Sequence, residues 1–450
     1  MVRKNETHTV EITGYTAEGA GVARIDGQAI FVKDVIVGEV AQIKIDHVGK
    51  RFAYGTLIQL ETVSPNRVNR LCTIGKRCGG CDFWHMNYRE ELRLKSNRVC
   101  EALNRIGGQS LENVEITGAE TMLAYRNKAQ FPVTKGKNGV EAGFYQAGTH
   151  KVIPVEKCLI QPDVTAQVEK IAVQWMRRWN IPAYNEEKHV GCVRHIYVRT
   201  AQKTGDVLLC IVTLGEQMPK AQDLVERLQA DVPSIRTVVQ VIQPKKTNVI
   251  LGDEVRVIFG DGFIEEELCG NTFRVSAKSF FQINRDQAER LYEKALEYAQ
   301  LTKEDTALDL YCGAGTITLA MAKEAGQVIG VEVVEPAILD ARVNAENNGV
   351  DNVKFICADA GEAAQKLAAD EIQPKVIVVD PPRKGLSPDV IQAIATMSPD
   401  RLVYVSCDPA TLARDVALLA YKGYTLKKAH AYDLFPRCAH VETVVLLEKS

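Results

Sequence analysis

The sequence predicts a multidomain α/β protein: an N-terminal small β-barrel, a central mixed α+β domain, and a C-terminal Rossmann-like parallel sheet. Three observations carry this. Val10–Leu60 alternates β-branched and polar residues, with turn signals about every 8–12 residues, the spacing of a small barrel. From Thr306 onward the apolar runs TALDL, QVIGV, VKFIC, KVIVVD and RLVYVS alternate with helical patterns, as parallel strands covered on both faces do. Finally, 450 residues at 46% hydrophobic can fill several cores, about three at roughly 150 residues each.

The expected domains are 1–62, 63–265 and 266–450, with Ser64-Pro65-Asn66 as a linker. Residues 63–138 hold thirteen Lys and Arg against seven Asp and Glu, a net +6 in a chain whose total is −2. A helix is predicted near 88–108, where Leu92, Val99, Leu103 and Ile106 share one face. The stretch 139–265 reads as strands (HIYVRT, DVLLCIVTL, IRTVVQVIQ) with one helix around Val164–Trp179. Ala288, Leu291, Tyr292, Ala295 and Leu296 predict a helix over 286–300, and ETVVLLE predicts the last strand.

A pI near 6.5 and mean hydropathy of −0.12 exclude a globally basic nucleic-acid protein, but not a local basic surface. No apolar run reaches the ~18 residues of a membrane span. The start MVRKNETHTV lacks the apolar stretch of a secretory signal. Twelve cysteines without such a signal suggest a reducing, cytoplasmic setting, where clustered thiols bind metal or do chemistry.

DLYCGAGTITL reads as strand, glycine turn and helix, with Gly313 and Gly315 letting a ligand approach the backbone. Glu332 ends the next strand and suits a ribose; Asp359 ends the third, on the adenine side. The loop lacks a full G-x-G-x-x-G, which counts against a dinucleotide. Asp380, in VVDPPRKG, ends a buried strand at the edge where ligands bind. Cys407 follows the strand RLVYVS and precedes a helix, where a thiolate is favoured and can act as nucleophile. Glu442, at the start of the last strand beside His440, could serve as a general base.

Cys72, Cys78 and Cys81 form C-x5-C-x2-C, with Cys158 a distant fourth thiol. Four thiolates hold zinc or an iron–sulfur cluster. One C-x2-C, a looser Cys and a remote Cys lean toward iron–sulfur, because zinc sites usually repeat paired knuckles. No thioredoxin-like unit surrounds them.

Together, CTIGKRCGGC with Cys158, SFFQIN, DLYCGAG, VIGVE, DPPRKG, SCDPATLARD and HVETVVLL resemble the iron–sulfur-containing uracil-5 RNA methyltransferase family over nearly the whole chain. The chain looks most similar to its 23S rRNA members. The resemblance implies a TRAM barrel, a 4Fe-4S cluster on Cys72, Cys78, Cys81 and Cys158, and S-adenosylmethionine as methyl donor. It implies that Cys407 adds to carbon 6 of uracil and that Glu442 removes the carbon-5 proton. It carries Gln282, Tyr311, Glu332 and Asp380 to cofactor-side positions, and Asp359 more loosely; Asp380 could instead hold the uracil edge. Thr316 departs from the Asn of some relatives and is left out. The helix after the cluster is expected to fold back onto the catalytic domain. RNA is the expected partner, 23S rRNA first, at a single-stranded or flipped-out uridine. Phe280, Phe281 and Phe435 could stack on bases, though core packing is the plainer reading of each. One enzyme serving two rRNA sites is known in the family. No heptad or apolar stripe calls for a dimer, so a monomer is expected.

Three other readings compete. An iron–sulfur oxidoreductase would leave Cys407 and Glu442 unexplained. A non-catalytic RNA-binding assembly factor would tolerate Cys407→Ala. A tRNA uridine-54 methyltransferase shares the chemistry, but its members are expected to lack barrel and cysteine cluster.

Overall fold

The computed structural model describes residues 2–137 and 139–450. The N-terminal sheet comprises β1 (Thr7–Glu11), β2 (Gly14–Tyr15), β3 (Gly21–Ile25), β4 (Gln28–Val32), β5 (Val40–Val48) and β6 (Phe52–Thr62). Their order is β1-β5-β6-β4-β3-β2, and only β4 and β6 pair in parallel. Alternation turns Ile30, Val32, Ala41, Ile43, Ile45 and Ala53 inward. β1 also meets β3, so the sheet curls around this core. The linker is pinned to the barrel by Arg67, whose guanidinium grips the fully buried Glu39 carboxylate through two bonds of 2.6 Å.

Next come α1 (Tyr88–Arg105) and β7 (Glu115–Thr117), and then β8 (Lys128–Gly136), β9 (Gly139–Tyr145) and β10 (Val152–Pro154). They are followed by α2 (Asp163–Arg178), β11 (Val193–Thr200), β12 (Val207–Thr213), α3 (Ala221–Asp231), β13 (Ile235–Ile242) and β14 (Glu254–Phe259). The central sheet runs β10-β9-β8-β11-β12-β13-β14, with only β12 and β13 parallel. Val168 and Trp175 of α2 and Leu224 and Leu228 of α3 cover one face. On the other face Tyr197, Leu208 and Val239 join a core that continues into the C-terminal domain.

The hairpin β15 (Phe263–Leu268) and β16 (Asn271–Ser276) straddles residue 265 and sends Ile264, Leu268, Phe273 and Val275 into that same core. The remaining elements are α4 (Arg285–Ala299), β17 (Thr306–Leu310), α5 (Thr316–Ala322), β18 (Gln327–Glu332), α6 (Glu335–Asn347), β19 (Val353–Cys357) and α7 (Ala360–Ala369). After them come β20 (Val376–Val379), α8 (Pro388–Met397), β21 (Arg401–Ser406), α9 (Pro409–Ala420), β22 (Tyr424–Tyr432) and β23 (Glu442–Lys449). They build an eight-stranded sheet, β19-β18-β17-β20-β21-β23-β22-β7. The pairs from β19 to β21 are parallel, and β23 is antiparallel to both its neighbours. Both faces are buried, as the continuous apolar runs require: Val376 and Val378 enter one core, Ile377 and Val379 the other.

Residues 88–117 thus lie in two places at once, central in sequence and C-terminal in space. β7 pairs with β22, and Val99 and Leu103 of α1 pack with Leu412 and Val416 of α9. A buried charge network holds this return. Lys95 Nζ, with no solvent exposure, donates to Glu91 at 2.8 Å, Asp433 at 2.7 Å and the Phe435 carbonyl at 3.2 Å. Arg437 donates its backbone N–H to Glu91 at 2.7 Å, and Tyr88 donates its hydroxyl to Asp433 at 2.9 Å. Burial opposes the Lys95 charge, but Glu91 and Asp433 outweigh it and raise its pKa.

Lys95→Met leaves the buried Asp433 carboxylate without its cation and Glu91 with Arg437 alone. It is expected to cost about 3–5 kcal/mol, read as a lower urea midpoint. The exposed pair of Arg105 and Glu101 on the same helix is the control, and Arg105→Ala should shift stability by less than about 1 kcal/mol.

Candidate active site

Two helices leave the sheet on opposite faces after β17 and β20: α5 packs in one core and α8 in the other. The strand order reverses there and opens a crevice beyond the strands' carboxyl ends. Phe280, Phe281, Gln282, Tyr311, Thr316 and Asp380 line it, with Asp309 and Gly313. The chain enters the glycine loop through Tyr311 at φ +73°, a strained conformation for a non-glycine residue. The N–H groups of Tyr311 and Cys312 both donate to the Val331 carbonyl at 2.9 Å. A Cβ on Gly313 would meet nothing within 4 Å, so its backbone is open to a ligand. Gly315 starts α5 at φ +84°, and a Cβ there would stand 3.2 Å from Phe355.

The acids around this loop differ in availability. Glu332 accepts from the N–H groups of Gly313 at 3.2 Å and Val334 at 2.9 Å, which fixes its carboxylate beside the loop. Asp359 caps α7 through Gly361 N–H at 2.8 Å, a structural task the sequence reading did not give it. Asp309 is buried, and burial pushes its pKa up to about 7. One of its oxygens takes the Thr318 hydroxyl at 2.5 Å, while the other has no partner. An unfilled buried acceptor, an open glycine backbone and an acid at the second strand end fit the ammonium, sulfonium and ribose of S-adenosylmethionine.

Cys407 and Glu442 come together at the next strands. Cys407 follows β21, and α9 starts behind it, capped by Asp408 bonding the N–H groups of Ala410 at 2.9 Å and Thr411 at 3.0 Å. Glu442 opens β23, and the pairing of β21 with β23 sets Ser406 opposite Thr443, which brings the two side chains together. Burial pushes the Glu442 carboxyl up to about 8, with Asp380 adding and Arg383 opposing. Burial likewise raises the Asp380 carboxyl to about 7. The Cys407 thiol is not lowered by its helix, contrary to the sequence expectation. Burial, then Glu442 and Asp380, push it up to about 11, outweighing Arg383 and its own N–H. Two carboxylates and partial desolvation exceed the field of one helix end. Asp380 therefore faces both the cofactor crevice and the Cys407–Glu442 pair.

Several functional neighbours escaped sequence reasoning. Arg383 donates to the exposed His440 ring at 3.3 Å and acts on Cys407 and Glu442. Its loop is held by the buried Asp415, which accepts from Leu386 N–H and the Tyr404 hydroxyl, each at 2.8 Å. Arg383 lies inside DPPRKG, so the signal was present in the motif. Thr316, left out above, lines the crevice. Phe281 is core, as expected, whereas Phe280 is 69% exposed at the crevice mouth. Phe435 packs edge-on against His440 at 5.6 Å.

The four cysteines line one cavity of about 230 Å³, with Trp84, Arg126 and Ile160 among its walls. Burial raises Cys78 and, to about 11, Cys158, and each is raised further by neighbouring thiols. Among the described residues no three His, Cys, Asp or Glu side chains are arranged to hold a metal ion. Cys438, absent from the sequence reading, bonds the Gly80 carbonyl at 3.1 Å and the Cys81 thiol, so the cysteine loop touches the segment leading to Glu442.

Fold and crevice define a methyltransferase that uses S-adenosylmethionine. The chain belongs to the tRNA (uracil-5-)-methyltransferase family, whose model matches residues 87–450, and residues 2–58 match the TRAM domain. It is 41% identical to an uncharacterized RNA methyltransferase of Clostridium acetobutylicum, covering 100% of this chain and 98% of that one. A second, from Clostridium tetani, is 41% identical over 99% and 97%. The crystal structure of Pyrococcus abyssi tRNA (uracil-54, C5)-methyltransferase with S-adenosyl-L-homocysteine superposes with a TM-score of 0.80 at 27% identity, covering 98% of this chain and 99% of that one. The expectation that a tRNA uridine-54 enzyme would lack the N-terminal barrel region is therefore corrected, since this one aligns over its whole length. The protein is an S-adenosylmethionine-dependent RNA (uracil-5-)-methyltransferase.

Gly315→Ala puts a side chain at positive φ against Phe355. It is expected to weaken S-adenosylhomocysteine binding about five- to thirty-fold, from a strain of roughly 1–2 kcal/mol, as titration calorimetry would read.

Proposed function

We propose that this protein methylates carbon 5 of a uridine in 23S rRNA, with Cys407 as nucleophile and Glu442 as base. The observation that carries the reading is the meeting of Cys407, Glu442 and Asp380 at the sheet edge beside the cofactor crevice. Cys407 Sγ gives its proton to solvent and, as thiolate, bonds uracil carbon 6, which moves the ring's 5,6 double-bond electrons onto carbon 5 and its conjugated carbonyl. S-adenosylmethionine, when bound, supplies the methyl group to that carbon. Glu442 takes the carbon-5 proton, the carbon–sulfur bond breaks, and the ring double bond re-forms. Asp380 orients the uracil or the cofactor, and Arg383 offsets the negative charge of the pair. Gln282, Tyr311 and Glu332 hold the cofactor, and Asp359 supports the adenine side through the start of α7.

Both groups are protonated at neutral pH, so turnover should climb as pH rises through about 8, where Glu442 ionises, and toward 11, where Cys407 does. The test is methyl transfer from labelled S-adenosylmethionine to rRNA fragments and tRNA transcripts. Cys407→Ala should abolish it, by at least about 10⁴-fold, and Glu442→Gln should accumulate a covalent protein–RNA adduct. Transfer by Cys407→Ala at the wild-type rate would overturn the mechanism. A second reading, tRNA uridine 54, is favoured by the full-length likeness to the Pyrococcus enzyme. Label in tRNA but not rRNA would select it.

The cysteine cavity supports a resident 4Fe-4S cluster on Cys72, Cys78, Cys81 and Cys158. The observation behind it is that these four thiols line one cavity. A cluster would relieve their mutual repulsion by holding them as thiolates. Purified under exclusion of oxygen, the protein should carry about four irons, with absorbance near the visible edge, and Cys158→Ser should lose both. The cluster is read as structural rather than redox-active, and a monomer in a cytoplasmic setting fits these readings.

A further inference from the structure

Cys438 is a fifth thiol at the cysteine site, and no step above uses it. It stands outside the walls of the cavity that Cys72, Cys78, Cys81 and Cys158 line, and it is buried. It shares a hydrogen bond with the Cys81 thiol, whereas Cys158 acts on Cys81 through charge. Bonds on both sides hold the two cysteines in register. Cys438 Sγ donates to the Gly80 carbonyl at 3.1 Å. The N–H groups of Asp82 and Phe83 donate to the Arg437 carbonyl at 2.7 and 3.0 Å, and Ala439 N–H donates to the Asp82 carboxylate at 3.0 Å. The residues flanking Cys81 are thus tied to Cys438 and to both of its neighbours. Phe83 and Ala439 also share a small core beside the pair. Within this frame the two sulfurs need only close from hydrogen-bond contact to about 2 Å to be joined.

The two thiols differ in access. Cys81 lines the cavity of about 230 Å³, so a small solute that enters the emptied cavity reaches its sulfur. Cys438, by contrast, is nearly closed to solvent. A thiol oxidised to sulfenic acid has two fates. A second thiol captures it as a disulfide, which thiol reductants reverse, or it goes on to sulfinic acid, which they do not. A reachable thiol backed by a sheltered one in contact with it favours capture.

We propose that Cys81 and Cys438 are a disulfide-forming pair that reacts with hydrogen peroxide and related small hydroperoxides when the cysteine cavity is empty of metal. Cys81 Sγ attacks a peroxide oxygen, the O–O bond breaks, water leaves, and Cys81 becomes a sulfenic acid. Cys438 Sγ then attacks Cys81 Sγ, the S–O bond breaks, and a second water leaves with the thiol proton. Two thiols and one hydrogen peroxide give one disulfide and two waters, with two electrons passing from sulfur to oxygen. The bond shields Cys81 from irreversible oxidation and fastens the cysteine loop to the segment that leads to Glu442. The shielding of a metal ligand rests on the cluster reading; the disulfide itself does not.

The experiment takes the full chain, strips it of iron with a chelator and treats it with hydrogen peroxide. Mass spectrometry of an unreduced digest should show Cys81 joined to Cys438, with fragmentation separating Cys81 from Cys78. After a thiol reductant and fresh ferrous iron and sulfide, wild type should rebuild its iron content. Cys438→Ser should regain less than about half of it, with Cys81 held as sulfinic acid. Serine keeps a donor to the Gly80 carbonyl, so the two melting temperatures should agree before oxidation. Cys81 joined to Cys72, Cys78 or Cys158 in place of Cys438 overturns the proposal, as does equal recovery of bound iron by the two proteins. If wild type binds no iron yet still joins Cys81 to Cys438, the cluster reading falls and the pair stands. Iron bound and rebuilt with no such disulfide keeps the cluster and removes the pair.

Discussion

The structure turns on Lys95. A fully buried ammonium is tolerated only because Glu91, Asp433 and the Phe435 carbonyl surround it. Asp433 and Phe435 begin the segment that ends at Glu442, while Glu91 and Lys95 sit on α1, which follows the cysteine loop in sequence. One ion cluster therefore ties the cysteine loop, the returning helix and the base-bearing strand. Arg437 completes it at φ +72°, a strained backbone held by Glu91 and by bonds from Asp82 and Phe83 to its carbonyl.

From that anchor the site follows by strand pairing. Antiparallel β23, inserted between β21 and β22, brings residues 35 positions apart, Cys407 and Glu442, to one sheet edge. Asp380 reaches them from β20, which also borders the cofactor crevice. Two chemistries meet at one carboxylate because the switch point of the sheet lies one strand away from the nucleophile. Burial sets the protonation: three acidic groups close together in a partly desolvated edge cannot all be charged, and Glu442, Asp380 and Cys407 are all raised.

The barrel and the cysteine loop are attached by the same economy of contacts. Phe83 and Met86 of the loop pack with Ile36 of the barrel and Ala439 beside the active site. Gly19 approaches Phe83 so closely that a Cβ would fall 2.4 Å from its ring. Barrel, loop and catalytic edge are thus packed against one another through one small core.

The sequence by itself determined the strands of the C-terminal sheet, because continuous apolar runs have no other stable home. It determined the barrel's alternation, and the motif residues around the crevice, because glycine turns and strand-end acids are local signals. Tertiary structure alone decided what depends on contacts between distant segments. It added β7 to the C-terminal sheet beside β22, made a cap of Asp359, and raised the Cys407 thiol despite its helix. It exposed Phe280 while burying Phe281, and it set Cys438 against Cys81. The physical reason is the same in each case: burial and charge proximity are sums over neighbours in space, and sequence spacing records only neighbours along the chain.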